Sequence, residues 1–165
     1  LALVLLVASL SATPLKLTLG WTWPLRARRT LGLLGFFSAV LHFLLYLGPD
    51  QGFALGAVLA DIGKRPFIAV GFLALLLLVP LAWTSTKKAV QRLTFPVWQR
   101  LHRLAYPIGL LAALHFYLRV KADHTQPLVY LFVILAGFAL RIAAWRAKAL
   151  AQSRRIQSSG RARSE

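Results

Sequence analysis

The stretch Trp98-Gln99-Arg100-Leu101-His102-Arg103-Leu104-Ala105-Tyr106-Pro107-Ile108-Gly109-Leu110-Leu111-Ala112-Ala113-Leu114-His115-Phe116-Tyr117-Leu118 starts basic and aromatic, turns apolar, and carries a histidine near each end. Basic and aromatic residues leading into an apolar run mark a chain entering a bilayer at headgroup level. The stretch reads as a cofactor-carrying membrane helix, because an imidazole in hydrocarbon is costly until it bonds something. A third such histidine, His42, lies in an earlier apolar segment.

Composition agrees with a membrane protein. Of the 165 residues 58% are hydrophobic, and the mean hydropathy is +0.66, well above the usual composition of a soluble domain. The formal net charge of +16 would suggest nucleic acid in a soluble chain, but the basic residues sit between apolar runs and at the C-terminus, where cytoplasmic loops carry them. No surface remains for a nucleic-acid groove, and no nucleic-acid partner is expected. The absence of cysteine excludes disulfides, iron–sulfur clusters and thiolate metal sites, so redox chemistry requires a bound cofactor. The chain opens on Leu1 and lacks methionine. Its N-terminus therefore reads as truncated or processed, with residues 1–15 as the tail of a membrane helix ending near Ser11-Ala12-Thr13-Pro14.

The expected fold class is an all-α, polytopic transmembrane bundle of about five visible helices, the first truncated and one more upstream. After the linker with Trp21, Trp23 and Pro24, residues 30–49 carry no formal charge, and twenty residues at about 1.5 Å each cross the roughly 30 Å hydrocarbon core. Residues 66–86 form a second uncharged run, with Pro66 at a helix start and Pro80 as a kink. Residues 98–118 and 127–145 complete the set, with Arg141 and Arg146 placed to snorkel. Four Lys and Arg fall in residues 15–30, five in 85–103 and seven in 141–165, against two in each of the other connectors. That asymmetry puts the basic segments and the C-terminus in the cytoplasm. The expected domains are a transmembrane domain over residues 1–146 and a frayed, basic cytoplasmic tail over 147–165.

Orientation assigns depths. The His42 helix and the 98–118 helix both run outward, so His42 and His115 share an outer level, while His102 starts at the inner interface about 20 Å below His115. Two neutral imidazoles facing each other across a bundle suit the axial positions of a b-type haem; the alternative is a pair of interhelical hydrogen-bond partners. On a straight helix His102 lies roughly 140° around from His115, a mismatch that a kink at Pro107 would alter. Fourteen residues inward of His42, on nearly the same face, stands Arg28. The inner level is therefore asymmetric. It suits a second haem with a different ligand, or a site where Arg28, Arg29 and Arg103 meet haem propionates, a flavin phosphate or a quinone headgroup. The plainer readings are positive-inside anchoring for these arginines, an interfacial histidine beside Trp98 for His102, and a solvated loop for His124.

Several segments carry a resemblance: Arg28-Arg29-Thr30-Leu31-Gly32-Leu33, Leu41-His42-Phe43, Lys64-Arg65-Pro66-Phe67-Ile68-Ala69-Val70-Gly71, Leu81-Ala82-Trp83-Thr84-Ser85-Thr86, Trp98-Gln99-Arg100-Leu101-His102-Arg103-Leu104 and Leu114-His115-Phe116. From Ala12 to about Arg141 the chain resembles the MsrQ family, haem-binding membrane subunits of the bacterial methionine sulfoxide reductase system MsrPQ, within the ferric-reductase-like transmembrane superfamily. The resemblance implies an inner-membrane conduit that takes electrons from the quinol pool or a cytoplasmic flavin reductase. It delivers them to MsrP, a periplasmic molybdopterin enzyme that repairs oxidised envelope proteins. It implies one or two haem b groups, with His42 and His115 as iron ligands and His102 as the third functional histidine. FMN occurs in some relatives, though no glycine-rich phosphate loop marks it here, and a quinone is a further candidate. Sulfoxide reduction itself is not expected of a chain without a molybdenum-ligating cysteine. The rival readings are a ferric or quinone reductase with another acceptor, and a non-redox membrane scaffold.

Overall fold

A computed structural model describes the backbone of residues 1–164 and the side chains of residues 1–153. Among the described residues the chain is mostly helical, with short turns between helices and no strand. The helices are α1 (Ala2–Leu19), α2 (Trp23–Leu45), a π-helical turn (Tyr46–Asp50), α3 (Leu55–Lys64), α4 (Pro66–Trp83), α5 (Lys87–Leu93), α6 (Phe95–His102), α7 (Ala105–Arg119) and α8 (Thr125–Ser164). Four are long and apolar enough to cross a membrane: α1, α2 with its π-helical turn, α4 and residues Thr125–Ser153 of α8. Large apolar side chains such as Phe37, Leu59, Trp83 and Phe132 are exposed around the bundle, and no polar or charged side chain is fully buried among the described residues. This is the surface of a membrane protein, whose apolar exterior meets lipid.

The helices pack as a bundle in which α1 touches α2, α7 and α8, while α4 touches α2, α3 and α7. Helices α2 and α7 thus face each other with α1 and α4 on either side. One apolar cluster, with Leu78, Leu81 and Ile108 buried at its centre, draws on α1, α2, α4, α6 and α7. A second joins Val7, Ala113 and Ile134 from α1, α7 and α8.

Prolines set the departures from the expected boundaries. The stretch 98–118 is two helices rather than one, broken at Arg103 and Leu104. Pro107 has no N–H to offer the Arg103 carbonyl four residues earlier, and its ring crowds that carbonyl. The chain tightens instead, with the Tyr106 N–H donating to the Arg103 carbonyl at 3.1 Å. The straight-helix angle between His102 and His115 therefore does not apply.

The first helix, expected to stop near Pro14, continues to Leu19 and ends at Gly20, whose φ of 71° is a left-handed cap that glycine adopts without strain. Pro14 leaves the Leu10 carbonyl without its intrahelical donor. Arg141 supplies one, its Nη2 donating to that oxygen at 2.6 Å, while Nη1 donates to the Tyr106 hydroxyl. The guanidinium also lies 4.8 Å from the centre of the Tyr106 ring. Arg141 therefore does not snorkel; it is drawn inward to join α1, α7 and α8. The π-helical turn answers Pro49 in the same way, since the Leu45 carbonyl loses its usual donor.

Helix α2 begins at Trp23 and takes in Arg26, Arg28 and Arg29, expected in a linker. Helix α8 passes residue 147 without a break, where a frayed tail was expected; Ala, Lys, Arg and Gln in this segment are all good helix formers. The side chains of the tail beyond Ser153 lie outside the described residues.

Replacing Arg141 by Met should destabilise the detergent-solubilised protein by about 1–2 kcal/mol, the scale of charge-assisted and intramembrane hydrogen bonds. Thermal unfolding measures it. The exposed Arg146→Met should stay within about 0.5 kcal/mol of the parent, and equal effects at both positions would contradict the inward role of Arg141.

Candidate functional site: a histidine pair between α2 and α7

His42 sits in the last turn of α2 and His115 in the last turns of α7, and their ring centres are 6.2 Å apart with the planes at 72°. The structure brings these two residues together across the bundle. His115 is half-buried, and His42 lies on the more open side of the pair.

The His115 ring is held from α4. Its Nδ1 is 2.6 Å from the Phe67 carbonyl oxygen. A carbonyl only accepts, so Nδ1 carries the hydrogen and Nε2 is left with a free lone pair. That arrangement prepares an imidazole as a metal ligand: the hydrogen bond fixes tautomer and orientation and makes the other nitrogen more basic. The ring reaches the α4 backbone because residue 71 is glycine. A Cβ there would lie 2.5 Å from Nδ1 and 2.8 Å from Cε1, closer than any side chain tolerates. Phe67 flanks His115 with ring centres 6.3 Å apart, and Phe43 beside His42 packs on Phe72 at 5.7 Å.

The separation of the pair tests the fit of a cofactor. Imidazole–metal bonds of about 2 Å on either side, plus the reach from ring centre to nitrogen, put two axial imidazoles about 6 Å apart. The observed 6.2 Å matches. A site between diagonal helices of a bundle is also where such groups are held.

His102 is not part of this pair. It closes α6, stacks on Trp98 with ring centres 4.0 Å apart, and donates from Nδ1 to the Trp98 carbonyl at 3.2 Å. Trp98 is fixed in turn by its indole N–H, which donates to the Thr84 carbonyl at 3.0 Å. The His102 Nε2 is buried with no hydrogen-bond partner, an arrangement that calls for a ligand or donor. Arg28 is half-buried and within electrostatic range of His102 and Arg141, and its backbone carbonyl accepts from Ser9 Oγ at 2.9 Å. Arg29 and Arg103 are exposed at the same end. His124, expected in a solvated loop, is half-buried against Tyr117 with ring centres 4.6 Å apart. Among the described residues no group of three or more His, Cys, Asp or Glu is placed to hold a metal ion by itself, so His42, His102 and His115 do not form one cluster. Sequence reasoning missed Phe67 and Gly71, although a glycine one turn beyond Phe67 on an apolar helix is the available sign of a close approach.

Gly71→Ala should displace the His115 ring and break its hydrogen bond to Phe67. Nitrogen shifts of labelled histidine in the purified protein report it; an unchanged His115 Nδ1 signal would contradict the geometry.

Comparison with known proteins agrees with this architecture. Residues 1–113 match the family described as ferric reductase like transmembrane component. The chain is 52% identical over 140 residues to a Rhodospirillum rubrum protein named protein-methionine-sulfoxide reductase heme-binding subunit MsrQ, covering 85% of this chain and 67% of that one. It is 52% identical over 136 residues to the Deinococcus radiodurans protein of the same name (82% and 67%), and 45% identical over 145 residues to that of Bordetella pertussis (87% and 70%). The chain thus spans about two thirds of the length of these relatives. No solved structure matches it. With its ferric-reductase-like match over most of its length and its identity to these relatives, the chain belongs to the MsrQ family of ferric-reductase-like membrane proteins.

Proposed function

We propose that this chain is a b-type haem electron-transfer subunit of the bacterial inner membrane. It carries electrons outward from quinol or a cytoplasmic flavin reductase to a periplasmic, MsrP-type molybdopterin methionine sulfoxide reductase, which repairs oxidised envelope proteins. The observation that carries this reading is the His42–His115 pair, 6.2 Å apart, with the His115 tautomer held by Phe67. The names of the relatives add the haem and the reductase system.

A b-type haem supplies a one-electron iron couple when bound. His42 and His115 would hold it, His115 through the nitrogen that its hydrogen bond to Phe67 leaves unprotonated. Phe67, with its ring centre 6.3 Å from that of His115, gives this imidazole an apolar neighbour, a lever on redox potential. At the basic end, which positive-inside asymmetry assigns to the cytoplasm, His102 and Arg28 form the loading level. The free Nε2 of His102 suits either a second haem iron or the hydroxyl of a quinol. Arg28, with Arg29 and Arg103 at the rim, suits propionates, a flavin phosphate such as that of FMN, or a quinone oxygen. Residues 1–146 make up the haem domain in this proposal, and residues 147–165 its cytoplasmic tail.

The purified protein should show a Soret band, and His42→Ala or His115→Ala should remove its low-spin form. No band, or one indifferent to both substitutions, contradicts haem ligation by this pair. Adding oxidised MsrP to the reduced protein should reoxidise the haem; failure would contradict delivery to that partner.

A further inference from the structure

Helix α3 joins α2 to α4 at the end of the bundle remote from the basic segments. Its last turn carries Asp61, whose side chain is only 17% exposed. Two donors converge on one oxygen: the Tyr46 hydroxyl at 3.1 Å and the Gln51 Nε2 at 2.9 Å, both to Oδ2. The other oxygen pairs with Arg65 Nε at 3.4 Å. The exposed ion pair contributes little, whereas the hydrogen bonds to a shielded carboxylate are of the stronger, charge-assisted kind.

The partners of Asp61 connect to both histidines. Tyr46 opens the π-helical turn, and its backbone N–H donates to the carbonyls of His42 and Phe43. Gln51 follows the last residue of that turn. On the other side Arg65 caps α4 and its N–H donates to the Asp61 carbonyl at 2.9 Å. Two residues later stands Phe67, the acceptor of the His115 hydrogen bond. One carboxylate thus ties the backbone that carries His42 to the backbone that orients His115. Helix α4 packs on both α2 and α7, and the Asp61 bonds add a tie between the end of α2 and the start of α4 near the level of the histidines.

We infer that Asp61 is a positioning residue for the His42–His115 pair, fixing through Tyr46, Gln51 and Arg65 the spacing at which the two imidazoles share a haem. The inference rests on the haem reading above. A π-helical turn replaces the regular i to i−4 bonds of an α-helix with wider i to i−5 ones, and this one, induced by Pro49, also gains side-chain bonds to an outside partner at both of its ends. Asp61 is the partner here. Without Asp61 the turn loses both side-chain bonds, and the His42 carbonyl, bonded by the Tyr46 N–H, loses its fixed relation to the start of α4.

The test uses the full chain purified with its cofactor in detergent, and follows ferric haem loss to excess apomyoglobin together with the low-spin EPR signal. Asp61→Ala should release haem about 10–100-fold faster, as loss of a group that orients ligands does, and should broaden or shift the low-spin signal. Tyr46→Phe, which deletes a single hydroxyl and leaves the charge intact, should move both readouts in the same direction by less. The double substitution should be no faster than Asp61→Ala alone, because both act through one network. The exposed Lys64→Ala should match the parent. Should Asp61→Ala fail to assemble, Asp61→Asn and Tyr46→Phe carry the comparison. A parental rate and spectrum in the Asp61 and Tyr46 variants, or additive effects, would overturn the positioning role while leaving the haem reading intact. A parent protein with no low-spin haem would overturn the haem reading, and the positioning role with it.

Discussion

The hydrogen bond from His115 Nδ1 to the Phe67 carbonyl is the contact on which the geometry of the histidine pair, and with it the proposed haem site, depends. In hydrocarbon a free imidazole would turn to whatever polar group it could find. Here one nitrogen is committed to a backbone oxygen and the other is left bare. That commitment demands a glycine at position 71, an α4 that begins sharply at Pro66, and an α7 placed against α4 rather than against α2. Packing across the bundle, with Ile108 of α7 buried among Leu78 and Leu81 of α4, provides the last of these.

Proline is the second organising device. Each of Pro14, Pro49 and Pro107 removes an N–H from a helix, and each freed carbonyl acquires a definite consequence. At Pro14 an arginine from the far end of the chain takes the freed Leu10 oxygen and ties α8 to α1. At Pro49 the helix widens into a π-helical turn just beyond His42. At Pro107 the helix breaks and separates the segment bearing His102 from the one bearing His115. The two histidines of a single stretch thereby belong to separate helices, α6 and α7.

Much of this was legible in sequence. Uncharged runs near twenty residues placed α2, α4 and α8, and depth counting from the flanking charges put His42 and His115 at one level. The rest was hidden for physical reasons. Periodicity shows which residues are apolar but not where a freed carbonyl will find its donor; Leu10 and Arg141 lie 131 positions apart in the chain. A 100° rotation per residue gives no angle across a break, so the relation of His102 to His115 could not be derived from their spacing. The role of Asp61 depends on hydrogen bonds from Tyr46 and Gln51, 15 and 10 positions away in the chain, and a lone acidic residue in a short connector carries no sign of them.

The central claim is that one iron sits between His42 and His115. A structure of the haem-loaded protein with iron located by anomalous scattering tests it most directly. The account predicts an iron peak about 2 Å from a nitrogen of each ring, on the His115 side at Nε2, with Nδ1 still bonded to the Phe67 carbonyl. Iron found only beside His102, or bound to one histidine of the pair and not the other, would contradict it.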